Sequence, residues 1–188
     1  MGAIETPTRL SLTVEQYEAM HDAGVFADEA RVELIDGVIY EMAPPGSPHH
    51  SIVMRLNLFF CNHLATRATI SPQGPLKLPP DSYPQPDLQL LAPREDFYEA
   101  GTPQSGDVLL LIEVSASTLR FDRKVKLPMY ARRGVVEVWI IDVARKRIEV
   151  STGLAEGGYG NRRVVEQGGV ILPTAFPDFP VRWGDAFG

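Results

Sequence analysis

The sequence predicts a mixed α/β fold: a mixed β-sheet with helices packed on it, entered through an N-terminal helix and a β-hairpin. Three observations carry this. Strand-like and helix-like periods alternate along the chain. One short run, Val108-Leu-Leu-Leu-Ile112, is apolar throughout, as a strand covered on both faces must be. Gly and Pro contribute 16 residues each to a chain of 188, well above the roughly 12% combined average. That many turn formers exclude a coiled coil or a simple helical bundle.

The elements follow in order. Thr13 with Gln16 three residues on is a capping-box signature, and Val14, Tyr17 and Met20 form a short apolar stripe behind it. Residues 31–42 alternate around Asp36-Gly37, a strong two-residue hairpin signal. Ser47 as N-cap and Pro48 at the first position open a long helix with Ile52, Val53, Leu56, Phe59, Phe60 and Leu64 on one face. Short strands are expected near 69–71, 76–78 and 88–91, then over 107–114. A helix over 121–133 should end at Gly134 and be kinked or delayed by Pro128. Val135–Ile141 reads as a second buried strand with 147–150 as its hairpin partner. One more strand at 162–165 precedes an irregular C-terminus. The Pro- and Gly-rich stretches 72–86 and 92–106 interrupt one domain, since neither flank carries enough apolar sequence for a core of its own. The whole chain, 1–188, is therefore read as one domain with its core over about 12–181.

Cys61 is the single cysteine and lies in an apolar run, so a buried core thiol is expected and no disulfide can form within the chain. No basic-then-apolar leader begins the sequence and no 18-residue apolar run exists, which favours a cytoplasmic location without a membrane span. The net charge is −6, from 18 basic and 24 acidic residues, which argues against a protein coated broadly with nucleic acid. The charge is uneven, however. Nine basic residues stand against three acidic ones between Arg120 and Arg147, a local +6, leaving −12 elsewhere. Clustering of this kind suits a phosphate backbone, although a helix solvated on one face explains part of it.

The chemical anomaly is Glu113, at the end of the most apolar strand, where an unpaired carboxylate would be costly. Its plain alternative is a solvated residue at the sheet edge. Asp87 opens another apolar strand, though Pro-Asp is also a common turn pair. Glu33 lies between Val32 and Leu34, where alternation would place it on an exposed face. Carboxylates at the ends of neighbouring strands are what a hard divalent cation needs.

Several ordered segments then fit a known pattern: LTVEQY at 12–17, VELIDG at 32–37, EMAP at 41–44 followed by His49, QPD at 85–87, EVSAST at 113–118 with Asp122 and Lys126, Tyr130-Ala131, Gly134-Val135 and VWIID at 138–142. In this ordered set the chain resembles the Uma2 family of restriction-endonuclease-like proteins, a branch of the PD-(D/E)XK nuclease superfamily. The resemblance implies a restriction-endonuclease-like core in which Asp87 and Glu113 hold Mg²⁺ or Mn²⁺, with Glu33 contributing from the hairpin. The reaction implied is hydrolysis of DNA phosphodiester bonds. A homodimer is implied too, because many nucleases of this fold pair two subunits.

One position departs from the superfamily pattern: a lysine is wanted two residues after the acidic residue, and Ser115 stands there. The resemblance shifts that role to Lys126. Helical spacing alone leaves Lys124 and Lys126 both flanking the inward face. His49 is assigned a phosphate contact, and Arg123 and Lys124 a place along the nucleic acid. Asp122 either caps the helix or holds Lys126 at i+4 spacing, capping being the simpler reading. The competing reading of the whole is a catalytically silent DNA-binding or protein-interaction module that keeps the nuclease fold. An acid hydrolase using Glu113 and Asp87 on another substrate has nothing specific in its favour.

Overall fold

The computed structural model describes residues 9–27 and 30–188. Helix α1 (Val14–Asp22) starts at the expected capping box: the Gln16 amide donates to Thr13 Oγ1 at 3.2 Å and the Thr13 amide to Gln16 Oε1 at 2.9 Å. It buries Val14 and Tyr17, and the Tyr17 hydroxyl donates to the Val32 carbonyl at 2.9 Å, tying the helix to the hairpin. The hairpin is β1 (Val32–Ile35) with β2 (Val38–Glu41), antiparallel, Ile35 opposite Val38. Asp36 and Gly37 both take positive φ, +48° and +74°, the geometry that Asp-Gly tolerates. At Gly37 a side chain has no room either, since a Cβ would lie 2.5 Å from that of Ser11.

Helix α2 (Ser47–Leu64) follows, with Gly46 rather than Ser47 in the N-cap position and Ser47 already helical. Six strands then form one sheet: β3 (Thr69–Pro72), β4 (Leu88–Leu91), β5 (Val108–Ser115), β6 (Glu137–Asp142), β7 (Arg147–Ala155) and β8 (Gly158–Val165), in that spatial order. Only β5 and β6 are parallel, and the helical crossover between them is the one such parallel connections need. The crossover runs through α3 (Leu119–Phe121), a π-helical turn (Asp122–Lys126) and α4 (Leu127–Arg132).

The two faces of the sheet carry separate apolar layers. Leu110, Ile112, Val114, Trp139 and Ile141 pack against α2 and the C-terminal segment. Leu111, Val138 and Ile140 pack against Leu127, Met129 and Tyr130 of α4. Strand alternation puts Glu113 on the face of Leu111, toward α4 and the hairpin. This choice of face positions the site.

Four expectations change. The segment 76–78 is held only by isolated bridges, Lys77 with Gln104 and Leu78 with Ser82, although Leu76 and Leu78 are buried. Cys61 is exposed, because it falls outside the buried stripe of Ile52, Val53, Leu56, Phe60 and Leu64. The crossover helix starts two residues earlier than its period suggests, and the widened π-turn immediately precedes Pro128, where a regular turn would need an N–H that proline lacks. The C-terminus is ordered: β9 (Val170–Ile171) pairs with β10 (Val181–Arg182), and α5 (Trp183–Phe187) follows. Buried Glu137 anchors it, accepting from Trp139 Nε1 and from the Thr174 amide, both at 2.7 Å. Among the described residues no helix is long and apolar enough to cross a membrane.

Candidate active site

The carboxyl end of β5, the hairpin, the start of α2 and the π-turn enclose one cavity, lined among others by Glu33, His49, Asp87, Glu113, Asp122 and Lys126. Pairing of Leu88 with Ile112 puts Asp87 beside Glu113 across two neighbouring strands. Asp87 Oδ2 accepts from the Val114 amide at 2.8 Å, and its Oδ1 lies 2.9 Å from His49 Nε2. Both oxygens of this carboxylate are therefore fixed.

Lys126 is buried, and its Nζ lies 2.8 Å from Glu33 Oε2 and 3.1 Å from Glu113 Oε1. The Tyr130 hydroxyl donates to the same Glu113 oxygen at 2.6 Å. The Gln85 amide donates to Glu33 Oε1 at 3.2 Å. Lys124, by contrast, is exposed. The ambiguity left by a 100° helical period is resolved by the π-turn, which brings Asp122 and Lys126 onto one inward face and leaves Lys124 outside.

Glu33 is not on an exposed face. It is 4% exposed, because β1 is buried on both sides, by α1 on one and by the crossover on the other, so alternation carried no solvent signal here. Glu113, 3% exposed, is likewise not solvated at a sheet edge. Asp122 is no cap, since the helix begins at Leu119; its Oδ2 accepts from Ser115 Oγ and from Thr118 Oγ1, both at 2.6 Å. The residue that stands where the superfamily pattern wants lysine thus contributes a hydroxyl to this network.

His49 is buried against Asp87 on the cavity lining. Arg123 does not line the cavity. It forms an ion pair with Glu149 and a looser one with Asp142 at 3.7 Å. Much of the basic run is consumed in the same way: Arg145 and Arg147 pair with Asp142, Arg132 with Asp36, and Arg133 with Asp81. Tyr130 stands in the sequence only as part of the Tyr130-Ala131 segment, with no role at the site assigned to it. The signal for more was its spacing, four residues beyond Lys126 and so on the same helical face.

Burial pushes the Glu113 carboxyl up to about 8; Lys126 opposes this, while Asp122, Asp87 and Glu33 add to it. Burial also raises Asp122, against the pull of Lys126. Burial disfavours charge on Lys126, but Glu113, Glu33 and Asp122 more than offset it and hold the ammonium protonated. The Tyr130 hydroxyl is pushed well up by burial and by Glu113. The linkage has a definite sign. Between 4.5 and about 8 the folded chain keeps a proton on Glu113 that the unfolded chain has lost, so stability falls as pH rises through that window. Asp122 acts in the same direction. In EDTA, the melting temperature is expected to decline between about pH 5 and pH 8, and Glu113→Gln to flatten the decline. An unchanged slope in the variant would show that Glu113 does not carry it.

Two buried layers flank the sheet, and a carboxylate–lysine cavity lies at the end of its one parallel strand pair, which makes this a mixed α/β protein with a charged cavity at its central strands. The structure superposes on the crystal structure of "a putative nuclease belonging to DUF820" from Anabaena variabilis ATCC 29413 with a TM-score of 0.70, covering 94% of this chain and 97% of the other at 16% identity, which shows a shared fold. The model of the Uma2 family, described as "Putative restriction endonuclease", matches residues 14–183, and the chain belongs to that family. No curated protein matches it.

Proposed function

We propose that the chain is a Mg²⁺- or Mn²⁺-dependent endonuclease that hydrolyses DNA phosphodiester bonds at the Glu113 cavity. The observation carrying this reading is the buried Lys126 ammonium held between Glu33 and Glu113 beside Asp87. Replacing such a buried ion cluster as a whole by well-packed apolar side chains is often neutral or stabilising, so fold stability alone does not account for a lysine among carboxylates at the end of a central strand.

The donor set fits a hard cation. Among the described residues no three His, Cys, Asp or Glu side chains converge as a preformed metal cage. Mg²⁺ does not need one, since one or two carboxylates suffice and its other positions stay with water and phosphate. Asp87 and Glu113 would hold it. When bound, the ion activates water and offsets the charge that develops during phosphodiester cleavage.

The chain's own residues supply the rest. The Val114 amide and His49 orient Asp87; Tyr130 and Lys126 orient Glu113. Lys126, held protonated by its neighbours, serves as a donor to developing negative charge and not as a base. Glu33 fixes Lys126 from the opposite side. Pairing of two copies would set two such cavities on one duplex.

The test is nicking of a supercoiled plasmid. Cleavage is expected with millimolar Mg²⁺ or Mn²⁺, and none with EDTA or in the Glu113→Gln variant. An intact plasmid in both metals, with DNA still retained in a salt-dependent way, would replace this reading with the silent binding module.

A further inference from the structure

Resting on the endonuclease reading, we infer that Arg31 is the residue that grips the DNA backbone at the mouth of this cavity. Lys126 alone is a weak grip, because Glu33 and Glu113 already take up most of the donor capacity of its ammonium. Among the described residues four acidic side chains, Glu33, Asp87, Glu113 and Asp122, line the cavity, so an approaching phosphodiester needs a cation there that they have not already engaged. Among the described residues Arg31 is the one other lysine or arginine on the cavity lining.

The placement of Arg31 is fixed by its backbone. Its carbonyl accepts from the Met42 amide at 2.7 Å, extending the hairpin by one pair beyond Val32–Glu41. Two residues before Glu33 on an extended strand, its side chain projects to the same side as that carboxylate. It is partly buried, and among the described residues no carboxylate lies within ion-pair distance of it. Arginines of the crossover and of the β6–β7 hairpin differ in this respect: Arg123, Arg132, Arg133, Arg145 and Arg147 each have an acidic partner.

The start of α2 also lies on the cavity lining, through Gly46 and His49. This 18-residue helix has no acidic residue in its first turn and no side-chain cap, so its free amides favour an anion at the same cavity. A guanidinium forks onto two oxygens of one phosphate, which an ammonium cannot do. The geometry therefore assigns Arg31 a substrate-binding role with no part in activating water.

The test compares the unmodified chain with Arg31→Ala and Arg31→Lys, by anisotropy of a labelled DNA duplex across a salt series in Mg²⁺ and by steady-state cleavage of the same duplex. Arg31→Ala is expected to weaken binding about tenfold, to lower the salt slope by about one, and to raise KM far more than it lowers kcat. Arg31→Lys should restore the slope but not the full affinity. Its melting temperature should match that of the unmodified chain; if Arg31→Ala melts early, Arg31→Gln reads the same slope. Equal affinity and slope in Arg31→Ala would overturn this assignment alone. Failure of the unmodified chain to bind or cut DNA would overturn the endonuclease reading beneath it, so the two failures are distinct.

Discussion

Lys126→Ala is expected to lower cleavage by about 10²–10³-fold, the usual loss when one preorganised donor to developing charge is removed. It should also destabilise the protein by about 3–5 kcal/mol, because the change leaves buried carboxylates without their cation. Glu33 would retain the Gln85 amide and Glu113 the Tyr130 hydroxyl, which together do not replace an ammonium. The stability loss should be larger at pH 8 than at pH 5, since at the lower pH protonation relieves the repulsion. Lys126→Met should lose activity to the same extent, and adding Glu33→Gln to it should regain part of the stability. Lys124→Ala is the control: an exposed side chain with no ion pair among the described residues should change stability by less than about 0.5 kcal/mol and leave cleavage intact. Urea midpoints at two pH values and initial cleavage rates make the comparison. If Lys124→Ala and Lys126→Ala lose activity equally, the assignment of the acting lysine is wrong.

The elements that a local period determines were legible before the structure. The hairpin follows from Asp36-Gly37, α2 from its apolar stripe, and β5 from an apolar run whose interruption at Glu113 pointed to the cavity. What failed were readings that depend on how elements cover one another. Glu33 looks exposed by alternation, because alternation distinguishes faces only when one of them meets water, and neither face of β1 does. Lys126 could not be told from Lys124 at a uniform 100° per residue, because the π-turn changes that angle where the two lysines lie. The basic run from Arg120 to Arg147 suggested a local flank suited to a phosphate backbone. Asp36, Asp81, Asp142 and Glu149 take up most of it, and three of these four acids lie outside the stretch whose charge was being counted. The C-terminal segment has no period at all. Its order comes from Glu137 and from Ile171, Phe176 and Val181 packing into the α2 layer, contacts between residues far apart in sequence.

Glu113→Gln should separate structure from chemistry by the signs of its effects. In the metal-free protein at pH 8 it removes one of four neighbouring carboxylates facing a single ammonium, and the amide oxygen can still accept from Tyr130 and Lys126. The variant is therefore expected to be at least as stable as the unmodified chain. With metal the order should reverse. A divalent ion that binds only the folded chain at one hundred times its dissociation constant stabilises it by about 2.7 kcal/mol, a rise of about 5–10 °C in melting temperature for a chain of this length. Glu113→Gln should lose that rise together with all cleavage, and Asp87→Asn should do the same. If Glu113 served only as the structural partner of Lys126, the opposite pattern would appear: a variant less stable without metal, and a metal response equal to that of the unmodified chain. Thermal melts of the three proteins at pH 8, with EDTA and with Mn²⁺, distinguish the two cases, because no purely structural role lets a substitution stabilise the metal-free protein while abolishing its response to metal.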